Sequence, residues 1–424
     1  MVWNNHLKRL GAKDMSDEQS CPVKDWATDY DIFDEEYVKD PSPVWKELRG
    51  RCPIAHTTRW GGSWLPTKYA DLQKMVRMVP ALSSQSPNVV PPDPELREEL
   101  IAELKEYGSD SPPITSDPPE QIPYRRLILP FFNPKSVDKY REETEHLCNK
   151  LIDKFIDTGT ADAAVDFAQQ IPPRVIAAML GIDTNRSDEF TEWTRGILEL
   201  GQTQPKLRRK YRRIIRDFFT DLVLERRKNP GRDDMITKLI SSEIDGEPLS
   251  DYTIVGMCNL LLVAGIDTTW SSIGAALWHF ASQTEDRHQL NRNPDLLPTA
   301  IEVMLRFYSP VTMARKVTEP VTIGDTTFAP GDKILLNFPA ANRDPEVFEN
   351  PEEVVLSRER NRHIAFGVGI HRCAGSNLAR MEMEVSLRTW FRRIPEFELS
   401  APEAVTWAGG QVRGPRSIPV TFPI

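Results

Sequence analysis

Cysteine is scarce in this chain of 424 residues. The five cysteines stand at positions 21, 52, 148, 258 and 373, an odd number with wide and irregular spacing. A chain of this length can bury a large core without covalent cross-links. The pattern therefore excludes a disulfide framework, and we expect reduced thiols.

Long apolar runs and export signals are also missing from the sequence. The longest apolar run covers residues 254–266 and contains Asn259, whereas a helix that crosses a bilayer needs about 20 apolar residues. The first ten residues lack the apolar core and the small-residue cleavage site of a signal peptide. We therefore expect a soluble, cytoplasmic protein that does not associate with membranes.

Positive charge is in deficit, because the formal net charge at pH 7 is −9. Proteins that bind nucleic acids neutralise phosphates with clustered positive charge. The negative net charge therefore argues against a general nucleic-acid surface. One basic run covers residues 206–216, and we interpret it as the solvated face of a helix, with a binding patch as the less favoured alternative.

The spacing of apolar residues predicts a mainly α architecture with small β-sheets. Residues 135–305 follow a helical pattern that is interrupted at Pro172, Pro173 and Pro205. Residues 317–336 show the alternation and turn residues of short strands.

The organisation along the chain is simple. Residues 1–25 are polar and are predicted to be loosely ordered. Proline-rich stretches at 87–94 and 110–123 bracket a charged helical piece at 95–107, which we expect to be mobile. We predict that residues 26–424 form a single domain.

One cysteine has unusual neighbours. Residues 366–375 have the sequence FGVGIHRCAG, so Cys373 stands on a glycine-rich loop that leads into an amphipathic helix at 376–391. A helix N-terminus favours a thiolate, and glycines keep side chains away from a flat macrocycle. We interpret Cys373 as the ligand of a haem iron. The alternatives are a buried structural cysteine, or a zinc site with His363 and His371, which lacks the paired short spacing of zinc ligands.

The same loop resembles the haem-binding loop of the cytochrome P450 family. The family pattern Phe-x-x-Gly-x-x-x-Cys-x-Gly is met by Phe366, Gly369, Cys373 and Gly375. The resemblance implies the family's fold, with a long central helix over the haem and the cysteine loop on the proximal side. It also implies haem b as the cofactor, Cys373 as the iron ligand, and the activity of a soluble bacterial haem-thiolate monooxygenase.

A second motif interrupts a long apolar helix pattern that begins near Asp251. Residues 264–269 have the sequence AGIDTT, and Gly, Asp and Thr are poor helix formers. A kinked buried helix whose threonines bond to the preceding turn is the alternative without a catalytic role. The stretch resembles the family's (Ala or Gly)-Gly-x-(Asp or Glu)-Thr motif. The resemblance implies that Asp267 relays protons for oxygen activation, that Thr268 holds a water, and that Gly265 makes room for dioxygen.

The haem propionates need donors if they are buried. Residues 117–125 resemble the family's entry to a proximal helix, with Gln121 where His is more usual. The camphor-hydroxylating branch shares that Gln, and the chain is most similar in pattern to this branch. The resemblance implies propionate contacts from Gln121, Arg125, Arg315 and His371. It implies further haem contacts from Phe366, Gly367, Gly375 and Ala264.

The sequence departs from the family at one structural pair. The family places a glutamate three residues before Arg306, but Val303 stands there. Glu302 lies four residues before Arg306, which is still close to the same helical face. We predict that Glu302 or a backbone carbonyl takes the place of the missing glutamate, and that Arg358 is the third member of the network.

The substrate walls follow from the resemblance alone. They are Leu261, Ala264, Val311, Met313 and Val412. Most of these residues are apolar, which favours a small or medium hydrophobic substrate held by packing. Ordinary core packing is an equal alternative for each of them.

The sequence contains no flavin or iron–sulfur module, so electrons must come from another protein. Our hypothesis is a small acidic ferredoxin that docks on Arg125, Arg126 and Arg372 of a monomeric enzyme. The resemblance implies that O2 and substrate react by hydroxylation or O-dealkylation. The alternatives are a peroxide-driven peroxygenase, which ordinarily lacks the acid–alcohol pair, and a haem redox or gas sensor, which needs an output module.

Overall fold

The structure is a computed structural model that describes residues 22–91, 101 and 111–424. The predictions of loose order in residues 1–25 and of mobility in 95–107 therefore lie outside the described residues, except at 22–25 and 101.

Helices dominate the described residues. Numbered in chain order, they are α1 (Glu35–Lys39), α2 (Ser42–Arg51), α3 (Tyr69–Met75), α4 (Gln121–Ile128), α5 (Pro134–Asp138), α6 (Arg141–Ile152), α7 (Ile171–Leu180), α8 (Ser187–Leu198), α9 (Leu200–Thr203), α10 (Pro205–Lys228), α11 (Met235–Ile240), α12 (Asp251–Ser282), α13 (Thr284–Arg292), α14 (Leu297–Phe307), α15 (Phe338–Ala341) and α16 (Ser376–Arg393).

The strands of the described residues are short. They are β1 (Ile54–Thr57), β2 (Ser63–Pro66), β3 (Leu82–Ser83), β4 (Thr160–Asp162), β5 (Glu243–Ile244), β6 (Glu247–Pro248), β7 (Met313–Val317), β8 (Val321–Ile323), β9 (Thr326–Phe328), β10 (Lys333–Leu336), β11 (Glu398–Leu399), β12 (Thr406–Ala408), β13 (Gly414–Ser417) and β14 (Pro419–Thr421).

The largest sheet has five strands in the order β1-β2-β10-β7-β3. β10 pairs in parallel with β2 and in antiparallel with β7, where Ile334 stands opposite Arg315. Side chains alternate across a strand, so Arg315 is buried while its neighbour Lys316 is exposed. The sheet therefore directs Arg315 into the protein interior.

Helix α12 is the central element. The Ser250 side chain caps its N-terminus by accepting the Thr253 N–H at 3.1 Å, and the helix continues for 32 residues. Its length and apolar composition would suffice to cross a membrane, but 72% of its most apolar 18-residue window is buried inside the protein. A helix that is apolar on all sides needs apolar neighbours on all sides, and here α7, α8, α10, α16 and β13 provide them.

The C-terminal strand β13 lies directly on α12. A Cβ at Gly414 would collide with the side chain of Ser271, so only glycine permits this close approach of strand and helix. Two residues later on the same strand, Arg416 is consequently placed beside α12.

Glu302 pairs with Arg380 and His363 and not with Arg306, so the first of the two predicted alternatives is wrong. The Glu302 carboxylate accepts two hydrogen bonds from Arg380 of α16, at 2.6 and 2.8 Å, and one from Nε2 of His363 at 2.9 Å. A two-pronged guanidinium–carboxylate pair is among the strongest hydrogen-bonded arrangements. Glu302 thereby links α14 to α16 and to the segment that precedes the cysteine loop.

Backbone carbonyls surround the two arginines of the predicted network. Arg306 donates to the carbonyls of Asn342, Pro351 and Glu353 at 3.1, 2.8 and 2.9 Å. Arg358 donates to those of Glu349 and Asn350 at 2.7 and 3.3 Å. Backbone oxygens therefore take up Arg306, which was the second alternative that the sequence offered.

Substitution of Glu302 tests its contribution to stability. Burial raises the pKa of Glu302, but hydrogen bonds from Arg380 and His363 outweigh it and hold the pKa at about 2. Glu302→Gln is expected to lower the free energy of unfolding at pH 7 by about 1–3 kcal/mol, since charge-assisted hydrogen bonds are lost. Because the folded-state pKa is lowered, this contribution is complete above the ordinary value of 4.5 and disappears as the pH falls toward 2.

The measurement is Tm between pH 7 and pH 3 for the native protein and the variant. Glu285→Gln is the matched control, because Glu285 pairs with Arg292 while their side chains are 80% and 67% exposed. Such a surface pair contributes little. Equal Tm values for the native protein and Glu302→Gln at pH 7 would contradict the assignment.

Candidate active site

Glycines shape the loop that carries Cys373. Gly367 and Gly369 have φ angles of 65° and 75°, in the left-handed region that side chains disfavour. The Cys373 N–H donates to the Phe366 carbonyl at 2.8 Å and closes the loop. The loop therefore presents the exposed Cys373 side chain shortly before the N-terminus of α16.

Opposing influences act on the Cys373 thiol. The closely surrounding protein raises its pKa, whereas the Gly375 N–H and the guanidinium groups of Arg125, Arg372 and Arg380 lower it, and the net shift is upward. An N–H donor and nearby cations stabilise a thiolate. These surroundings suit a cysteine that loses its proton when a metal ion binds.

The zinc alternative finds no ligand set here. His363 is hydrogen-bonded to Glu302. Within the described residues, no group of three or more His, Cys, Asp or Glu side chains could hold a metal ion.

Ala264 and Thr268 mark an accessible stretch of α12. Ala264 is exposed and Thr268 is half-buried, although most of the helix is buried. The two residues lie about one helical turn apart and therefore share a face. The Thr268 hydroxyl donates to the Ala264 carbonyl at 2.9 Å, which is a common position for a threonine hydroxyl inside a helix.

Gly265 contacts a neighbouring helix. A Cβ on Gly265 would lie 3.2 Å from the side chain of Ile176 in α7, so glycine permits close packing of α12 on α7. The backbone stays α-helical through this position. The contacts of Gly265 thus give it a packing role, which differs from the predicted opening for dioxygen.

Asp267 lies in a buried network of charges. Its Oδ1 accepts from Nη2 of Arg416 at 2.9 Å and from the Ser271 hydroxyl at 3.2 Å. Nε of Arg416 also donates to Glu199, at 2.8 Å, and Arg195 donates twice to the same carboxylate, at 3.0 and 2.8 Å. Four charges of alternating sign therefore connect the end of α8 to the middle of α12.

The pKa shifts follow from this arrangement. Burial raises the pKa of Asp267, Arg416 lowers it and Glu199 raises it, with a net upward shift. The pKa of Glu199 is lowered in spite of its burial, because Arg416 and Arg195 flank it. An acid with a raised pKa that is still paired to a cation is suited to both gaining and releasing a proton.

Sequence reasoning missed Arg416, Glu199 and Arg195. Arg416 lies 149 residues from Asp267 in the chain and belongs to none of the motifs. The only sequence signal for such a network was Asp267 itself, because a buried carboxylate requires a hydrogen-bonding or cationic partner. Which cation would supply that partner could not be read from spacing.

The cations Arg315 and Arg125 lie close to a neutral His371. Burial and the charges of Arg315 and Arg125 lower the pKa of His371 to about 3, and burial lowers that of Arg315 to about 10. In the part of the chain that the structure describes, Nε of Arg315 and Nε2 of His371 are buried without hydrogen-bond partners. Buried, unpaired polar atoms beside cations fit an anionic group such as a haem propionate.

Gln121 and Arg125 connect α4 to the cysteine loop. Nε2 of Gln121 donates to the Ile370 carbonyl at 3.0 Å, and Arg125 donates to the Arg372 carbonyl. The contact of Gln121 with a propionate stays a prediction.

The haem contacts predicted at the cysteine loop lie together. The Arg380 guanidinium stands 4.5 Å from the ring centroid of Phe366. A Cβ on Gly375 would lie 3.9 Å from the Cys373 sulfur. A Cβ on Gly367 would face the ring of Phe338.

The predicted substrate residues come from three parts of the fold. Val311 and Val412 pair in an isolated β-bridge, and Nε2 of Gln411 lies 3.5 Å from the Met313 sulfur. Leu261 stands on α12 three residues before the exposed Ala264, and it is buried together with Val412 in one hydrophobic cluster. The structure therefore brings Val311, Met313 and Val412 close to each other.

A glycine-rich loop that presents a cysteine before a helix, in a mainly α fold with a long central helix, is the arrangement of a haem-thiolate protein. A sequence model described as cytochrome P450 matches residues 287–406. The polyketide biosynthesis cytochrome P450 PksS of Bacillus subtilis is 30% identical over 397 residues, covering 92% of this chain and 97% of the relative. A steroid C26-monooxygenase of Mycobacterium tuberculosis is 32% identical over 342 residues, covering 78% and 92%.

Solved structures agree with the sequence comparisons. The structure of PksS from Bacillus subtilis 168 matches with a TM-score of 0.83 and 29% identity, over 93% of this chain and all of that one. The chain belongs to the cytochrome P450 family. The fold class and the monooxygenase class predicted from the sequence are confirmed. Proteins of this family carry a haem iron, and the accessible Cys373 thiol and the unpaired polar atoms of Arg315 and His371 fit such a group.

Proposed function

We propose that the protein is a haem b monooxygenase that inserts one atom of O2 into a small or medium hydrophobic substrate, by hydroxylation or O-dealkylation, with electrons from a ferredoxin. The observation that carries the proposal is the accessible Cys373 thiol in the same fold as the Asp267–Thr268 pair of α12. When bound, a haem iron with a thiolate ligand supplies oxygen activation. We further propose that the enzyme is a monomeric, soluble protein of the cytoplasm.

The residues around Cys373 would hold the cofactor. The Cys373 thiolate would ligate the iron, with the Gly375 N–H and three guanidinium groups nearby to stabilise its charge. Arg315 and His371 would donate to the propionates, since each has a buried polar atom without a partner among the described residues. Arg125 adds positive charge beside them.

Asp267 would move protons to the face of α12 that carries Thr268. Its Oδ1 is held by Arg416 and Ser271, while its buried Oδ2 has no hydrogen-bond partner in the described ranges. One oxygen is thus fixed and the other remains available to a proton. Arg416 acts as a positioning residue, because its hydrogen bond orients the buried carboxylate and its charge opposes the rise of the Asp267 pKa.

The substrate proposal is supported by the apolar side chains at Leu261, Val311, Met313 and Val412. A pocket with such walls binds mainly by packing and admits few directional contacts. The names of the relatives, which include polyketide and steroid enzymes, agree with a predominantly apolar substrate.

The electron donor would dock on a surface that we define by Ile122, Arg126, Leu129, Ile370 and Arg372. The three aliphatic side chains are 41–43% exposed, and both arginines are exposed. The bond between Gln121 and Ile370 holds α4 against the cysteine loop, so the surface is continuous there. Exposed aliphatic groups beside arginines suit a partner with an acidic rim, such as a ferredoxin.

The first test is the absorption spectrum of the reduced holoprotein with carbon monoxide. We expect the strongly red-shifted band that names the family for the native protein and for Cys52→Ser, which removes a thiol elsewhere. Cys373→Ser is expected to lose that band, because it removes the thiolate. A band typical of histidine-ligated haem in the native protein would overturn the proposal.

The proton relay is tested by Asp267→Asn. We expect the rate of product formation to fall by about 10²- to 10⁴-fold, the range for loss of a general acid–base group. We also expect that rate to slow more strongly in D2O than it does for the native protein, which is an increased solvent isotope effect. Arg416→Gln is expected to change the same two quantities in the same direction, since the carboxylate loses its cationic partner.

Asp251→Asn is the matched control, because Asp251 stands on the same helix and pairs with Arg227 at the surface. It should retain the native rate. A native rate and a native isotope effect for Asp267→Asn would show that Asp267 is not the relay.

The donor surface is tested by the double substitution Arg126→Glu, Arg372→Glu. We expect KM for an acidic ferredoxin to rise about tenfold at low salt and the difference to shrink as salt increases, since attraction between exposed charges is screened. Arg213→Glu on α10 is the control, because its side chain is 76% exposed. An unchanged KM for the double variant would place the donor elsewhere.

A further inference from the structure

Arg306 is buried without a carboxylate of its own. It is 0% exposed, and its two terminal nitrogens donate to three backbone carbonyls. Its Nε has no hydrogen-bond partner among the described residues. A buried N–H without an acceptor costs roughly 1–3 kcal/mol, and more when the group is charged, so this donor calls for an acceptor.

Arg358 repeats the same pattern beside it. Its terminal nitrogens donate to the carbonyls of Glu349 and Asn350. Its Nε is also buried, again without an acceptor in the described part of the chain. Two guanidinium groups that are close enough to repel each other therefore each keep one buried N–H without an acceptor among the described residues.

The surrounding charges do not neutralise the positive charge of Arg306 and Arg358. Burial and the positive charges of Arg358 and Arg343 lower the pKa of Arg306 to about 9. The one carboxylate that favours the charged form of Arg306 is Glu352, and it is hydrogen-bonded to Arg343 and to Arg49. Positive charge is therefore in excess at this point of the interior.

Val303 occupies the position where the family pattern has a glutamate. Residues three apart on a helix are neighbours, so Val303 of α14 lies next to Arg306. Val303 is 0% exposed. A buried aliphatic side chain therefore stands where a carboxylate would neutralise Arg306.

A cavity reaches this region from the surface. Its volume is about 1020 Å³, and its walls include Arg358, Arg360, Asn361 and Arg362, together with the carboxylate residues Glu349 and Glu359. Both side-chain polar atoms of Asn361 are buried and lack partners in the described ranges. The cavity gives an ion a path to Arg358, along walls with more positive than negative side chains.

We propose that the protein binds a small monovalent anion, chloride or a simple carboxylate such as formate, between Nε of Arg306 and Nε of Arg358. The anion would take the place of the glutamate that Val303 replaces. It would satisfy both unused N–H groups and reduce the repulsion among the three arginines. This site serves stability and is independent of the proposed reaction.

The test is the Tm of the holoprotein in sodium chloride or sodium formate, against sodium gluconate at equal ionic strength. Gluconate is too bulky for a site between two side chains. Tm of the native protein is expected to be about 1–3 °C higher with the small anions, because a ligand that binds only the folded state stabilises it. Equal Tm values in all three salts would overturn the proposal.

Val303→Glu identifies the site. We expect the Tm of this variant in gluconate to equal the Tm of the native protein in chloride, since its own carboxylate reaches the arginines. Its Tm should then no longer change when chloride replaces gluconate. Val303→Ile is the matched control and should keep the dependence. An equal response to chloride in Val303→Glu would show that the anion binds elsewhere.

A crystal of the native protein soaked in bromide keeps the proposal testable if Val303→Glu fails to fold. We expect an anomalous peak at hydrogen-bond distance from both Nε atoms. The absence of a peak there would also overturn the proposal.

Discussion

The fold depends on one constraint, which is that charged side chains in a dry interior need partners. Asp267 and Arg306 are buried and Glu302 is half-buried, and each has hydrogen-bond partners of a different kind. Asp267 has a cation and a hydroxyl, Glu302 has a guanidinium and an imidazole, and Arg306 has backbone carbonyls. These contacts join α12, α14 and α16 to segments that are distant in sequence. Contacts of charged groups therefore position these elements together with apolar packing.

The local features of the site could be predicted from the sequence, because they depend on short spacings. The glycine φ angles and the cysteine loop follow from residues within one stretch of ten. The partner of Asp267 could not be predicted, because Arg416 is 149 residues away and is positioned by Gly414, where β13 meets α12. Helical spacing constrains neighbours along one element, whereas contacts between elements depend on how the whole chain packs.

Sequence spacing could not decide between the two predicted partners of Arg306, Glu302 and a backbone carbonyl, for the same reason. Spacing of four residues made a pair with Arg306 possible, but such a pair within one helix contributes only about 0.2–0.5 kcal/mol. Arg380 offers a two-pronged contact from another helix, and His363 adds a third hydrogen bond. Backbone carbonyls meanwhile surround Arg306. The contact between elements therefore prevails over the contact within one helix, and sequence alone shows only the second.

The charge network around Asp267 also constrains the proposed relay. With Asp267 ionised, Arg195, Glu199, Arg416 and Asp267 balance to zero net charge. Protonation of Asp267 leaves one buried positive charge uncompensated, which is unfavourable in a medium of low dielectric constant. Burial nevertheless outweighs this cost and raises the pKa of Asp267, so the carboxyl binds a proton more readily than an exposed aspartate does. Glu199 directly follows α8 and accepts a hydrogen bond from Arg416 of β13, so the charges that shift the pKa of Asp267 come from two other elements. The acidity of the proposed relay therefore depends on contacts between elements and not on α12 alone.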